Sequence, residues 1–148
     1  MKAVIAIDSF KGSIDSIEAG EAAAKGIHIV YPNGKTLIYP LADGGEGTVQ
    51  AMAKGLGGKL EQVEVTGPLG DWVICEYAIV ENKDGKADSI EENFSNDLTA
   101  VIEMAGAAGI TLVPPDQRNP LHTTTYGVGE VIKDAVSKGC RNFIIGIG

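Results

Sequence analysis

The sequence predicts an α/β fold with a parallel sheet in its first part and a mixed or antiparallel patch in its second. Residues 1–60 alternate short apolar runs with helix-like segments, an order that is typical of parallel strands joined by right-handed helical crossovers. After Gly58 the pattern changes to an alternation of polar and apolar residues, which indicates half-exposed strands. The change of pattern predicts the start of a second domain.

The first strand and the first helix have clear signals. Ala3–Ile7 is a short, continuous apolar run, as expected of a buried parallel strand. Asp15 and Glu18 have the spacing of a capping box, so a helix is predicted to begin there. Gly26 is its predicted end, because glycine commonly terminates helices.

The segment Asp43–Thr48, with the sequence Asp-Gly-Gly-Glu-Gly-Thr, is the most informative stretch of the chain. A turn at 32–34 and an apolar strand at 36–39 precede it, and a helix-like run follows at 49–54. Ligands of α/β proteins gather at such strand-to-helix corners, where glycines permit a close approach and helix amides suit an anion. The alternative is a plain capping box of Asp43 and Glu46, which explains the acids but does not require the glycines.

The second part of the chain is predicted to contain further strands. Residues 61–66 and 72–80 have strand patterns, and a hairpin turn is predicted at 82–86. Residues 99–105 fit a strand or a helix, and their β-branched centre favours a strand.

An amphipathic helix is predicted to open within residues 123–130 and to stop at Gly139. A proline-containing loop at 114–120 precedes it, and a buried strand at 143–147 follows it. Its apolar face is predicted to consist of Val128, Val131, Ile132, Ala135 and Val136.

Composition and charge argue against several classes of function. The 148 residues carry 20 acidic and 12 basic side chains, and the absence of a basic cluster argues against binding to nucleic acid or to an anionic membrane. Cys75 and Cys140 lack metal-type spacing and are predicted to be reduced, buried thiols. Since no apolar run has the length of a signal peptide core or a transmembrane helix, the predicted location is cytoplasmic.

Polar side chains at the ends of the predicted strands form a candidate site. Asp8, Ser9 and Lys11 follow the first strand, the 43–48 segment follows the second, and Arg118 lies in a later loop. The bases would hold a substrate carboxylate or phosphate, and an aspartate would take a hydroxyl proton or bind Mg²⁺. Taken singly, Asp8 and Lys11 read as a surface pair and Arg118 as a solvated loop residue. Their matching positions at strand ends favour a site for a small anionic, hydroxylated substrate.

Seven segments of the chain carry a family resemblance: Ile7-Asp-Ser-Phe-Lys-Gly-Ser13, Pro40-Leu-Ala-Asp-Gly-Gly-Glu-Gly-Thr48, Val65-Thr-Gly-Pro-Leu-Gly70, Ile102-Glu-Met-Ala105, Arg118-Asn-Pro120, Thr124-Thr-Tyr-Gly-Val-Gly-Glu130 and Ile144-Ile-Gly-Ile-Gly148. With these segments in order, the chain resembles the type 1 glycerate kinases over nearly its whole length. Members of that family are more than twice as long, and this chain stops directly after an apolar strand. It is therefore expected to be the N-terminal portion of a longer protein.

The resemblance implies ATP- and Mg²⁺-dependent phosphorylation of glycerate to phosphoglycerate, usually the 2-phosphate. It implies an α/β fold with a Rossmann-like three-layer parallel sheet, a second, smaller mixed-sheet α/β domain inserted in it, and an active site in the cleft between them. Residues 1–65 would form the first part of the Rossmann-like domain. Residues 66–148 would form the start of the second domain and the return to a buried strand.

The resemblance places Asp8, Ser9, Lys11, Asp43, Glu46 and Arg118 at that cleft, and the chemistry of the side chains suggests the individual roles. The residues assigned to catalysis are Asp43, Asp8 and Lys11, with Asp43 also a ligand of Mg²⁺. Those assigned to glycerate binding are Ser9, Glu46 and Arg118. Those assigned to ATP binding are Gly44, Gly45, Gly47 and Thr48. The expected partner is a small-molecule substrate, with no nucleic acid and no membrane.

A second hypothesis is a non-catalytic α/β module that binds a small anion or a partner without turning it over. The longer family members carry a further glycine-rich segment, with Ser-Ala-Thr-Asn-Asp, that these 148 residues lack. That segment would help to bind nucleotide or substrate, so the alternative that these residues alone are inactive stays open.

Overall fold

The computed structural model describes residues 1–10, 13–81 and 98–148. The chain divides into two compact units, Met1–Asp43 and Gly44–Gly148. The helices and strands are β1 (Lys2–Ile7), α1 (Ser16–Val30), β2 (Lys35–Pro40), α2 (Thr48–Leu56), β3 (Lys59–Thr66), β4 (Trp72–Glu81), β5 (Leu98–Glu103), α3 (Met104–Ala108), α4 (Tyr126–Ser137) and β6 (Cys140–Gly146), with short 3₁₀ helices at Ile110–Leu112 and Pro115–Gln117.

The first unit is a β-α-β arrangement. Its strands β1 and β2 pair in parallel, with Ile7 opposite Pro40, and α1 packs against both strands. A Cβ atom at Gly20 of α1 would lie 2.4 Å from the Ile38 Cγ2 atom of β2, so the helix and the sheet approach as closely as they do only because this residue is glycine. The predicted parallel pair is confirmed. The prediction that β1 is buried is wrong, because its residues alternate between exposed and half-buried and Val4 is 61% exposed.

The cap of α1 is confirmed, but its predicted end is wrong. The Asp15 carboxylate accepts hydrogen bonds from the backbone N–H groups of Ile17 and Glu18, at 2.8 and 2.7 Å. The helix continues through Gly26 to Val30. It ends at Tyr31, because Pro32 disfavours helical backbone angles in the residue before it.

The second unit contains a four-stranded mixed sheet with the order β3-β4-β5-β6. The β3–β4 and β4–β5 pairs are antiparallel, and the β5–β6 pair is parallel. The helix α2 packs on one face, over Ala78, Val80 and Val101, whereas α4 contributes to the core on the other face, over Tyr77 and Ile102. Successive strand residues point to opposite faces, so this unit has three layers.

Three details of the second unit differ from the prediction. The strand predicted to be buried at 143–147 corresponds to β6, but Ile144 and Ile145 are 41% and 42% exposed. The strand favoured at 99–105 is confirmed as β5, but its last two predicted residues already belong to α3. On α4, Val128, Val131 and Ala135 are buried as predicted, whereas the Val136 side chain is 43% exposed. The helix ends before Gly139, which has a φ of +97° that favours glycine.

The α/β class, with parallel pairing and a mixed sheet, is confirmed. The hairpin turn predicted at 82–86 lies outside the described residues, and the domain boundary at residue 65 stays a prediction. Cys75 and Cys140 are buried free thiols, as predicted. Within the described ranges, no helix is long and apolar enough to cross a membrane.

Candidate functional site at the glycine-rich loop

The glycine-rich loop, Gly44–Thr48, precedes and opens helix α2. Gly44 and Gly47 have φ angles of +98° and +92°, which residues with a Cβ atom rarely adopt. Gly47 is the N-cap of α2, and it has no side chain with which to cap the helix. The alternative of a plain capping box of Asp43 and Glu46 is therefore wrong, because the helix begins later than that box requires.

A residue from a distant strand supplies the missing cap. The Glu103 carboxylate, at the end of β5, accepts a hydrogen bond from the backbone N–H of Val49 at 3.2 Å. Within the loop, the Thr48 hydroxyl donates to the Gly45 carbonyl oxygen at 2.7 Å. The start of α2 is thus held both by its own loop and by the neighbouring strand.

The electrostatic environment of Glu103 is unusual for a carboxylate. Its side chain is only 6% exposed, and this burial raises the pKa of Glu103, with a smaller contribution from the nearby charge of Glu46. The N–H groups of Val49, Thr48 and Gly47 act in the opposite direction and lower the pKa of Glu103, because they stabilise the charged form. The anion that these first helix amides face is therefore a carboxylate of the chain itself.

The loop also contacts the end of β6. A Cβ atom at Gly146 would lie 2.3 Å from the Gly44 carbonyl oxygen, so the two backbones touch directly. Gly148, with a φ of +87°, also lies beside the loop, since a Cβ atom there would be 3.7 Å from the Gly45 Cα atom. The loop therefore lies at the carboxyl ends of the parallel strands β5 and β6, the edge where α/β proteins bind ligands.

Glu103, Gly146 and Gly148 were not among the predicted site residues. The available signal was their position: each lies at or just beyond the carboxyl end of a strand, and each falls in a segment that carried the family resemblance. What the sequence did not reveal is that β5 and β6 are neighbours that both reach the glycine-rich loop.

The predicted acids of the first unit follow neighbouring strands. Asp8 comes directly after β1, and Asp43 comes shortly after β2, so both follow the same edge of the parallel pair. Both residues are exposed, and the Asp8 carboxylate accepts a hydrogen bond from the Ser9 backbone N–H at 2.7 Å. Lys11 lies outside the described residues.

Arg118 lies in the loop between the second 3₁₀ helix and α4. Its Nε–H donates to the Val113 carbonyl oxygen at 3.0 Å, which fixes the orientation of the guanidinium group within its own loop. The Arg118 side chain is exposed, and a guanidinium has further N–H donors with which to bind a carboxylate or phosphate. Its predicted role in substrate binding stays a prediction.

The described residues partly fit the expected nucleotide and Mg²⁺. In the part of the chain that the structure describes, no three His, Cys, Asp or Glu residues cluster as a metal cage. Magnesium does not require one, because it usually binds one or two carboxylates together with water and substrate phosphates. The exposed Asp43 carboxylate is a suitable ligand of this kind. Among the described residues, a Cβ atom at Gly47 would meet no heavy atom within 4 Å, so this part of the chain leaves the loop open to a ligand at Gly47.

Two other segments of the family resemblance have a structural role. The Glu130 carboxylate of α4 accepts a hydrogen bond from the Thr66 backbone N–H at 2.7 Å. A Cβ atom at Gly127 would lie 2.0 Å from the Thr66 carbonyl oxygen, so the first turn of α4 packs directly on the end of β3. The Thr124 N–H donates to the Pro68 carbonyl oxygen at 3.0 Å. These residues hold α4 against the β3–β4 turn.

Known proteins resemble this chain over its whole length. It is 47% identical to a glycerate kinase of Haemophilus influenzae and 45% identical to one of Bacillus subtilis, in each case over 100% of this chain and 35% of that protein. It is 44% identical to a glycerate 2-kinase of Escherichia coli, with the same two coverages of 100% and 35%. A crystal structure from Salmonella typhimurium LT2, assigned to glycerate kinase 2, superposes with a TM-score of 0.75 at 44% identity, covering 100% of this chain and 36% of that chain.

The chain thus spans about 35% of the length of the curated relatives that it matches. The sequence model of the Glycerate kinase family matches residues 3–148, from the first strand through the end of the chain. The match includes the glycine-rich loop and both strand ends that contact it. The chain belongs to the glycerate kinase family.

Proposed function

We propose that this chain serves in the ATP- and Mg²⁺-dependent phosphorylation of glycerate, with the 2-phosphate as product. The observation that carries the proposal is the glycine-rich loop of a glycerate kinase family member, held at the carboxyl edge of two parallel strands. The name of the Escherichia coli relative, glycerate 2-kinase, supports the 2-phosphate product.

The acids after β1 and β2 are proposed to act on the substrate hydroxyl. ATP supplies the phosphoryl group when bound, and Mg²⁺ neutralises part of its charge. Asp43 would accept the proton of the reacting hydroxyl or hold the metal, with Asp8 and Lys11 sharing the catalytic role. An exposed carboxylate near the end of a parallel strand is suited to general-base catalysis, because it can reach a substrate without moving the sheet.

The remaining predicted residues are proposed to bind and orient. Arg118 would pair with the glycerate carboxylate, since its guanidinium is already oriented by Val113. The Ser9 hydroxyl would donate a hydrogen bond to a glycerate hydroxyl or accept one from it, and the Glu46 carboxylate would accept one. The loop residues Gly44, Gly45, Gly47 and Thr48 would contact the nucleotide, and the open space beside Gly47 supports this assignment.

The expected environment is the cytoplasm, and the expected partner is a small molecule. Two buried free thiols, Cys75 and Cys140, are consistent with a reducing compartment. Burial raises the pKa of the Cys75 thiol to about 11, with a further contribution from the charge of Glu103, so this thiol is unreactive near neutral pH.

The test is glycerate-dependent ADP release from Mg-ATP, measured for the 148-residue chain and for a protein of the length of its relatives that contains it. Release by the longer protein with a 2-phosphate product supports the proposal. Release by neither protein refutes the substrate assignment. Glycerate binding by calorimetry without ADP release from either protein would instead favour the non-catalytic module.

Replacement of Asp43 by Asn is expected to abolish turnover in the longer protein, because the amide can neither accept the hydroxyl proton nor bind Mg²⁺ as a carboxylate does. We expect a loss of kcat of about 100-fold or more, with an unchanged far-UV circular dichroism spectrum. E21Q, which neutralises an exposed acid on α1, is the matched control and should keep its activity. Near-normal kcat for D43N would refute the assigned role.

A further inference from the structure

Glu103 is a buried carboxylate whose position is not explained by a basic partner. Among the described residues, it is the only Asp or Glu side chain in the buried class. No ion pair joins it to a lysine or arginine in the described ranges. Burying a carboxylate is costly unless hydrogen bonds compensate, and here the compensation comes from the first amides of α2.

The hydrogen bond to Val49 joins two elements that are far apart in sequence. Val49 and Glu103 are separated by 54 positions, so this cap does not merely set where a helix begins. It ties the first turn of α2 to the carboxyl end of β5. The other end of the loop is tied to β6 by the contact between Gly44 and Gly146.

The loop between these two contacts is consequently held from both sides. Gly44 is fixed against β6 and Val49 is fixed against β5, with Gly47 and its open side between them. A cap on the loop itself could have satisfied the helix amides equally well, but it would have left the loop free to move relative to the sheet.

We propose that Glu103 is the positioning residue of the active-site loop: through the Val49 amide it holds Gly44–Thr48 at the carboxyl edge of β5 and β6 in the geometry that binds nucleotide. This inference rests on the proposed kinase function.

Two substitutions of Glu103 distinguish a role in positioning the loop from a role of its negative charge. E103Q keeps an acceptor oxygen within reach of the Val49 N–H but removes the charge, whereas E103D keeps the charge on a side chain shortened by one methylene. If Glu103 positions the loop, E103Q retains most of kcat/KM, and E103D loses about 100-fold, the order of loss that a misplacement of about 1 Å can cause. The loss should appear chiefly as an increase in KM for ATP. The reverse order, with E103D active and E103Q inactive, would overturn positioning in favour of a catalytic charge.

The control for helix stability is D15A, which removes the local cap of α1. We expect D15A to lower the melting temperature without changing kcat/KM for glycerate or ATP. If E103Q and E103D also change only the melting temperature, Glu103 is a structural residue and the inference fails.

Amide hydrogen exchange tests the positioning role of Glu103 independently of kinase activity. Amide hydrogen exchange of residues 44–49 in the longer protein should be faster in E103D than in the wild type and in E103Q, while exchange within α1 is unchanged. This result, with a wild type that shows no glycerate-dependent ADP release, would support the positioning and refute the kinase assignment. Unchanged exchange at 44–49 in E103D would overturn the positioning, whatever the activity.

Discussion

The first helices of the two units begin in different ways. The helix α1 is capped by Asp15, the residue directly before it, through two hydrogen bonds of 2.8 and 2.7 Å. The helix α2 follows a glycine, Gly47, and receives its cap from Glu103 in another strand. Both arrangements satisfy helix amides that would otherwise lack partners, but only the second relates the helix to a distant part of the fold.

The two helix starts serve different purposes. A local cap is sufficient where a helix has only to begin, and α1 needs nothing more. A glycine N-cap leaves room beside the backbone but supplies no side chain, so the amides must be satisfied from elsewhere. The presence of glycine at position 47 therefore has two consequences in α2. The backbone is open beside Gly47, and the helix amides are capped by the distant Glu103 carboxylate.

The largest effect is expected from the contact that holds the other end of the loop. In G146A, a Cβ atom would meet the Gly44 carbonyl oxygen at 2.3 Å, so the backbone of the loop or of β6 must shift. We expect the free energy of unfolding to fall by about 1–3 kcal/mol, with loss of ATP binding. Urea denaturation and calorimetry measure the two effects.

The control for G146A is another glycine of the second unit. Gly55 lies in the last turn of α2, and a Cβ atom there would meet no heavy atom of residues 1–10, 13–81 or 98–148 within 4 Å. G55A should be neutral or should stabilise the chain by about 0.5–1 kcal/mol, because alanine favours a helix more than glycine does. Equal losses of stability in G146A and G55A would contradict the importance of the Gly44 contact.

A smaller effect is expected for the local cap. D15A removes both hydrogen bonds to the start of α1 and should cost about 1 kcal/mol of unfolding free energy. D15N, which keeps an acceptor oxygen, should recover most of that loss. If D15N and D15A are equally destabilised, the cap acts through charge alone and the hydrogen bonds contribute little.

The smallest effect is a difference in the pH dependence of stability between wild type and E103Q. Because the pKa of Glu103 is raised above 4.5 in the folded chain, folding favours the protonated form. The contribution of Glu103 to stability is therefore fully present below pH 4.5 and is lost as the pH rises through the folded pKa.

E103Q lacks this titration, so its stability relative to the wild type should increase as the pH is raised from about 4 to about 8. Urea midpoints of the two proteins at several pH values measure the difference. A constant difference over that range would show that Glu103 has the same affinity for protons in the folded and unfolded chain, and the raised pKa would be wrong.

Much of the fold could be predicted from local patterns. The apolar run of β1, the capping spacing of Asp15 and the amphipathic period of α4 are all properties of a few consecutive residues, and each prediction of an element is confirmed. The error at the end of α1 has a physical reason. Gly26 does not end α1 because glycine only permits a left-handed turn, and the chain leaves the helix at Tyr31 before Pro32 instead.

The sequence also pointed to the glycine-rich segment as a special region and to the family. These inferences were possible because glycines at a strand-to-helix corner and seven segments in a fixed order are visible without any structure. The α2 cap was not predictable in the same way. The nearby acids Asp43 and Glu46 matched a capping box, and nothing in their spacing showed that Glu103 would occupy the helix amides instead.

The contacts of Glu103 with Val49 and of Gly146 with Gly44 became visible only in the folded chain. Each contact joins residues that are far apart in sequence, so no local hydrophobic period could have predicted it. Each also depends on β5 and β6 being parallel neighbours in a sheet against which α2 packs. Local sequence governs the elements because backbone propensity and hydrophobic period act over a few residues. The geometry of the loop depends instead on long-range packing, because a hydrogen bond between distant residues forms only once the sheet between them has been assembled.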